Sequence, residues 1–330
     1  MAAHKQEWST EMTEQMRSAG DVYKSFIPSE SGEPLGEQIF PWGTDGIRKD
    51  MQAPLRIHSG DPMTVSNVIS MMAVEMQHWS EYLHLAQWTT NAEFKRLLIS
   101  LATAEQVHHL KLTSLLPAAH DPSEMVLASE MALLNTYCAA MASEPNESIR
   151  DAFKLLFNDH LEHADYAAKR VKGLGCPVDT MTGGADLSDG NPIQKQFMRP
   201  DDTIWKGCSD GSYDKNSVDP RTLINVDMSA AAETAAWMTY QSAMLEEEDQ
   251  EIRNDFAAFQ AVEHQHSAIL DSIMDPSETQ LERALVHERT EIVNYERLMK
   301  EESNEQVRKV FAELYREDME HARVLGELIL

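Results

Sequence analysis

Apolar and polar positions fall into four blocks along the chain. Residues 61–171 and 219–330 mix Ala, Leu and Met with Glu, a helix-forming composition. Between them, residues 172–218 turn to Gly, Asp and Ser and read as a linker. Residues 1–60 are mixed, with Phe40-Pro41-Trp42-Gly43 among them, and read as an irregular N-terminal arm packed on the body. Asp-Pro pairs at 61, 121, 219 and 275 each offer an N-cap followed by proline at the first helical position. Breaks near Thr89–Asn91, Pro117–Asp121 and Ser143–Glu147, with their counterparts, divide each helical block into four helices of roughly twenty residues. The expected fold class is therefore all-α: two tandem four-helix bundles, 61–171 and 219–330, joined by a long linker.

The two blocks repeat one another at an offset of 158 residues without a gap. Asp61-Pro62-x-Thr64-x-x-Asn67-Val68 recurs as Asp219-Pro220-x-Thr222-x-x-Asn225-Val226, and Trp79 matches Trp237. Asn146-Glu147 and Arg150 match Asn304-Glu305 and Arg308.

Several carboxylates and histidines survive the same shift. Glu75 pairs with Glu233, Glu105 and His108 with Glu263 and His266, Glu130 with Glu288, and His163 with His321. Three residues before the last pair stand His160 and Asp318. Thirty residues separate Glu75 from Glu105, Glu130 from His160, Glu233 from Glu263 and Glu288 from Asp318. In an antiparallel helix pair, residues about thirteen positions either side of a short turn stand level, roughly 20 Å from it. Four helices then converge on one layer. Glu-x-x-His lies on one helical face, and carboxylates with imidazoles in open coordination suit iron or manganese. One Glu from each of two helices with Glu-x-x-His from the other two is the general pattern of di-iron carboxylate bundles. Tyr82, Tyr137, Tyr240 and Tyr295 each follow a first- or third-helix Glu by seven residues, placing a phenol one layer away to orient a ligating carboxylate.

Composition narrows the function classes. A net charge of −27 repels nucleic acid. No run of eighteen apolar residues suggests a membrane span, and the polar start lacks the apolar core of a secretory signal. Cys138, Cys176 and Cys208 are far apart and form no CxxC, which fits a reducing cytoplasm and gives no zinc or rubredoxin-type knuckle. Trp79 and Trp237 read as core, Glu246–Asp249 as a solvated turn, and His58, His84, His109, His264 and His287 as surface or packing residues.

The second half resembles rubrerythrin-like members of the ferritin-like superfamily. The similarity lies in Glu263-x-x-His266, Glu288-Arg-Thr-Glu291, Val310-Phe311-Ala312 and Asp318-Met-Glu-His321. It implies Glu233, Glu263, His266, Glu288, Asp318 and His321 as ligands of two iron ions, or iron and manganese, with Glu291 as an extra carboxylate that shifts on and off a metal. By the same resemblance the first half would hold Glu75, Glu105, His108, Glu130, His160 and His163, with His78 one turn from Glu75. There Leu133 replaces the extra Glu and His160 the Asp, so that site is open to a different metal, a single metal or none. The implied function is an oxidoreductase reacting with peroxide or dioxygen and fed by an electron donor, with Glu291, Tyr240 and Tyr295 assisting. A ferroxidase or iron-storage protein is the alternative, and a non-catalytic metal-binding scaffold the third reading. Self-association into a homo-oligomer stays open.

Overall fold

A computed structural model describes residues 23, 26, 51, 54, 55, 62–116, 121–176, 178–182, 187 and 212–328. Among the described residues the chain is helical, with no strand. The long helices are α1 (Pro62–Trp88), α2 (Ala92–Leu115), α3 (Pro122–Ser143) and α4 (Glu147–Gly173), then, after the short α5 (Asp179–Thr182), α6 (Pro220–Glu246), α7 (Gln250–Ile273), α8 (Gln280–Glu301) and α9 (Glu305–Gly326).

The helices form four antiparallel hairpins, α1–α2, α3–α4, α6–α7 and α8–α9. Each hairpin turns through three residues, and the third is the N-cap of the returning helix: Asn91, Asn146, Asp249 and Asn304. Their side chains accept from backbone N–H groups of the first turn, which fixes where the second helix starts. Because each candidate ligand stands thirteen residues from its helix end, the equal loops hold Glu75 level with Glu105, Glu130 with His160, Glu233 with Glu263 and Glu288 with Asp318.

Asp121 and Asp219 cap α3 and α6 ahead of Pro122 and Pro220, as expected. Asp275 does not open a helix. Its carboxylate accepts from the Ser277 and Lys215 backbone N–H groups at 2.8 Å, and α8 starts later, on a capping box of Thr279 and Glu282. Asp61, Phe40–Gly43, His58 and Cys208 lie outside the described residues. Within the arm, Tyr23 and Phe26 are buried in the core, and the Tyr23 hydroxyl donates to Glu278 at 2.6 Å.

The hairpins pair across the two halves of the chain. α1–α2 packs with α8–α9, and α3–α4 with α6–α7, while α6 also lies along α1. One apolar layer joins Tyr82, Phe94 and Leu98 to Leu281 and Leu285; another joins Met71 and Leu112 to Tyr295 and Phe311. The other four helices have two matching layers, around Tyr240 with Phe256 and around Tyr137 with Phe153. Each buried Leu or Phe in these layers contributes about 1.5–3 kcal/mol. By length and composition alone α3 could cross a membrane, at mean hydropathy 1.3, but 67% of that window is buried inside the protein, as in a core helix.

The recurring Thr-x-x-Asn motif is a lock between halves. The residue after α3, Glu144, is buried and accepts from Thr222 Oγ1 at 2.6 Å and Asn225 Nδ2 at 2.9 Å. At the offset position Glu302 accepts from Thr64 Oγ1 at 2.7 Å and Asn67 Nδ2 at 3.3 Å. Removing either carboxylate strands buried donors. Glu144→Ala and Glu302→Ala are each expected to lower unfolding free energy by about 1–3 kcal/mol, read from urea midpoints at unchanged m-value; an unshifted midpoint would refute the lock.

Candidate metal centres

Two buried clusters of candidate ligands form, each from both halves of the chain. In cluster 1, one atom each from Glu75 (α1), Glu105 and His108 (α2) and Asp318 (α9) lie within 4.8 Å of one another, as do atoms of Glu105, Glu288 (α8), Asp318 and His321. In cluster 2 the corresponding sets are Glu130 (α3), His160 and His163 (α4) with Glu263 (α7), and His160, Glu233 (α6), Glu263 and His266. All these residues are buried. The expectation that each half holds its own site is corrected: Glu130, His160 and His163 sit with Glu233, Glu263 and His266, while Glu75, Glu105 and His108 sit with Glu288, Asp318 and His321. The physical cause is the pairing of hairpins. A hairpin presents only two ligand-bearing helices, and its complement comes from the other half.

Within cluster 1, Glu105 lies between two imidazoles. Its Oε2 is 3.2 Å from His108 Nδ1 and its Oε1 3.1 Å from His321 Nδ1. His108 Nδ1 also lies 3.2 Å from Glu75 Oε2, and His321 Nδ1 3.4 Å from Glu288 Oε2. Cluster 2 repeats this: Glu263 places Oε1 2.9 Å from His163 Nδ1 and Oε2 3.1 Å from His266 Nδ1. Several of these atoms, although buried and close, make no hydrogen bond: both oxygens of Glu105 and of Asp318, Glu288 Oε2, Glu291 Oε2, His321 Nδ1, Glu263 Oε1 and His163 Nδ1. Buried polar atoms are normally satisfied, so their convergence fits cations bridged by Glu105 and by Glu263.

The surrounding shell is built alike in both clusters. Tyr82 donates to Glu288 and Tyr240 to Glu130, each at 2.6 Å; Tyr295 donates to Glu75 and Tyr137 to Glu233. Each phenol therefore holds the carboxylate of the facing helix, not the one seven residues before it. Burial first, then the adjacent carboxylates, push all four phenols well above their usual range, so they stay donors. The outward nitrogens of two candidate ligands meet acids as well: His108 Nε2 lies 2.8 Å from Glu317 Oε2, and His266 Nε2 3.1 Å from Asp159 Oδ2. Such partners fix the tautomer that leaves Nδ1 free to bind a metal. Asp159 and Glu317 were missed in the sequence, although they too match at the 158-residue offset.

Glu291 points beside cluster 1, not into it: its Oε1 lies 2.6 Å from His78 Nδ1. His78 was expected beside the first-half ligands; its Nε2 faces Asp227 Oδ2 at 3.1 Å instead. His287, taken for a surface or packing residue, is 1% exposed and bonds the same Asp227. His84 and His264 are exposed, and Trp79 and Trp237 are partly buried.

The clusters differ in charge. Cluster 1 gathers four carboxylates and Glu291 around two histidines. Burial, then repulsion from neighbouring carboxylates, raises Glu291 and Asp318 well above the usual carboxyl range, and burial outweighs His108 to raise Glu75 to about 8. Cluster 2 matches three carboxylates with three histidines. There burial is overcome by the Glu233, Glu263 and Glu130 charges, which hold His160 at about 10, and by Glu233 with Glu263, which hold His266 at about 10.

A comparison of the chain with known protein families, curated proteins and solved structures finds no match.

Pairs of substitutions separate the observed grouping from one site per half. Glu75→Ala and Glu288→Ala lie in one cluster, so the double variant should lose no more metal than either single one. Glu75→Ala with Glu130→Ala should lose both clusters' metal. Mass-spectrometric metal counts showing the reverse would restore one site per half. In cluster 2 a cation must displace protons from imidazoles charged below about pH 10. Its affinity should rise between about pH 6 and pH 8, by about tenfold per pH unit for each proton displaced. Zinc titration of Glu105→Ala, taken as the difference from Glu105→Ala/Glu263→Ala, reads this slope; a flat profile would mean the rings are already neutral.

Proposed function

We propose that this chain is an oxidoreductase with non-haem dinuclear metal centres, of iron or of iron with manganese, and that cluster 1 reacts with peroxide or dioxygen. The carrying observation is Glu105: fully buried, one oxygen toward each of His108 and His321, and neither oxygen hydrogen-bonded. Glu105 would hold bound metal together with His108 and His321. The resemblance to rubrerythrin-like proteins, with helices arranged as ferritin-like four-helix bundles and a duplicated chain, supports the same reading. In this form each bundle takes one hairpin from each half.

Bound iron would supply one-electron steps to a small oxidant; the chain's own residues do the rest. Tyr295 and Tyr82 hold Glu75 and Glu288 against rotation. Glu317 orients His108 through Nε2. Glu291, raised by burial and by the neighbouring carboxylates, keeps a proton at the edge of the cluster, beside His78 Nδ1. The apolar layers around Phe94 and Phe311 exclude bulk water from both ends. Reduction of peroxide to two waters takes up two electrons and two protons, the electrons coming from an external one-electron donor. Cluster 2, balanced in charge without a metal, is the weaker centre.

Anaerobic loading with ferrous iron followed by peroxide tests this. Ferric absorbance should appear faster than with free ferrous iron, recur on adding a one-electron reductant, and vanish in Glu105→Ala while surviving in Glu263→Ala. Iron that stays ferrous in the wild type would overturn the reading. Single oxidation without recurrence, in an assembly of cage-like mass, would make it a ferroxidase or storage protein.

A further inference from the structure

Outside both dinuclear clusters, His78 on α1, Asp227 on α6 and His287 on α8 meet in a third buried group whose ligand atoms lie within 4.8 Å of one another. Asp227 spans the edges of the two rings, Oδ2 at 3.1 Å from His78 Nε2 and Oδ1 at 2.9 Å from His287 Nδ1. The opposite nitrogens face outer carboxylates, His78 Nδ1 at 2.6 Å from Glu291 Oε1 and His287 Nε2 at 2.7 Å from Glu81 Oε2. This is the plan of His108 and His266: one nitrogen inward to a ligand group, the other fixed by an acid.

The two rings lie against each other, 4.2 Å between centroids, and turn their inner nitrogens to the two oxygens of one carboxylate. One dication among His78 Nε2, His287 Nδ1 and Asp227 would take a lone pair from each of the three groups and leave the outer nitrogens on Glu291 and Glu81.

The position is peculiar to one side of the molecule. At the 158-residue offset His78, Asp227 and His287 become Ala236, Ile69 and Ser129, while the outer Glu81 and Glu291 become Thr239 and Leu133. Both histidines and all three carboxylates are absent together, as expected of parts of one unit and not of scattered packing residues.

We propose that His78, Asp227 and His287 bind a third, mononuclear divalent transition ion of the zinc type, linked to cluster 1 through Glu291. Two imidazoles and one carboxylate suit a tetrahedral ion with an open fourth position. Asp227 belongs to the helix set of cluster 2 and both histidines to that of cluster 1, so the ion also pins α6 against α1 and α8.

Native mass spectrometry of the metal-free full chain titrated with zinc tests the site. Asp227→Ala should bind one ion fewer than wild type, and so should His287→Gln, which guards against a folding defect in the first variant. Glu105→Ala should keep this ion. With cobalt in place of zinc, the intense visible bands of four-coordinate cobalt should disappear in both third-site variants and persist in Glu105→Ala. An unchanged ion count in folded Asp227→Ala or His287→Gln overturns the proposal, whatever the dinuclear clusters bind. A wild type that takes a single ion, lost in those variants, upholds it and overturns the dinuclear reading instead.

Discussion

Carboxylates crowded out of water govern this structure. A lone buried carboxylate carries a desolvation cost of several kcal/mol, and cluster 1 places Glu75, Glu105, Glu288 and Asp318 in one layer with Glu291 beside it. Such a layer is tolerable only with protons, imidazoles or cations among the oxygens. The raised Glu75, Asp318 and Glu291 carboxyls are the proton solution of the metal-free chain. The oxygens of Glu105 and Asp318 that make no hydrogen bond are what that solution leaves over. The rest of the fold serves to hold this layer level and dry: three-residue loops set the heights, the Tyr82 and Tyr295 phenols hold two of the carboxylates, and apolar layers close the ends.

The same constraint explains why the halves interlock. A hairpin brings two ligand-bearing helices level, but each cluster draws its residues from four. The Thr-x-x-Asn motif settles which hairpins meet, because Thr222 with Asn225 reaches Glu144, and Thr64 with Asn67 reaches Glu302. Each lock joins a helix start in one half to a helix end in the other. With α6 lying against both α1 and α3, the body is held by cross-half contacts throughout.

Much of this was legible in the chain, for a physical reason. Helix ends, loop lengths and ligand heights depend on local spacing, so the thirty-residue interval and the caps at Asp121 and Asp219 could be read directly. Partner choice depends on contacts between distant segments, and spacing carries no trace of it. The ligand types were therefore readable while their grouping by halves was not. Asp159 and Glu317 escaped because their match at the offset looks like any surface acid beside a histidine. Asp227 and His287 escaped more completely, since the duplicated positions are Ile69 and Ser129 and a search for matched residues discards whatever one half has alone.

Unmatched residues are where the two clusters part company. The exchange of Asp318 for His160 across the offset, with Glu291 for Leu133, removes two negative charges from one cluster and adds an imidazole. Cluster 2 can then neutralise itself through three histidines, two of them held near 10 by the carboxylates that burial would otherwise penalise. Cluster 1 has no such recourse, because its two imidazoles face an excess of acids and the nearest further histidine, His78, is engaged by Glu291 and Asp227. A site that satisfies itself gains little from a cation and gives it up readily. One left with surplus negative charge must draw its counter-charge from outside, as metal or as protons.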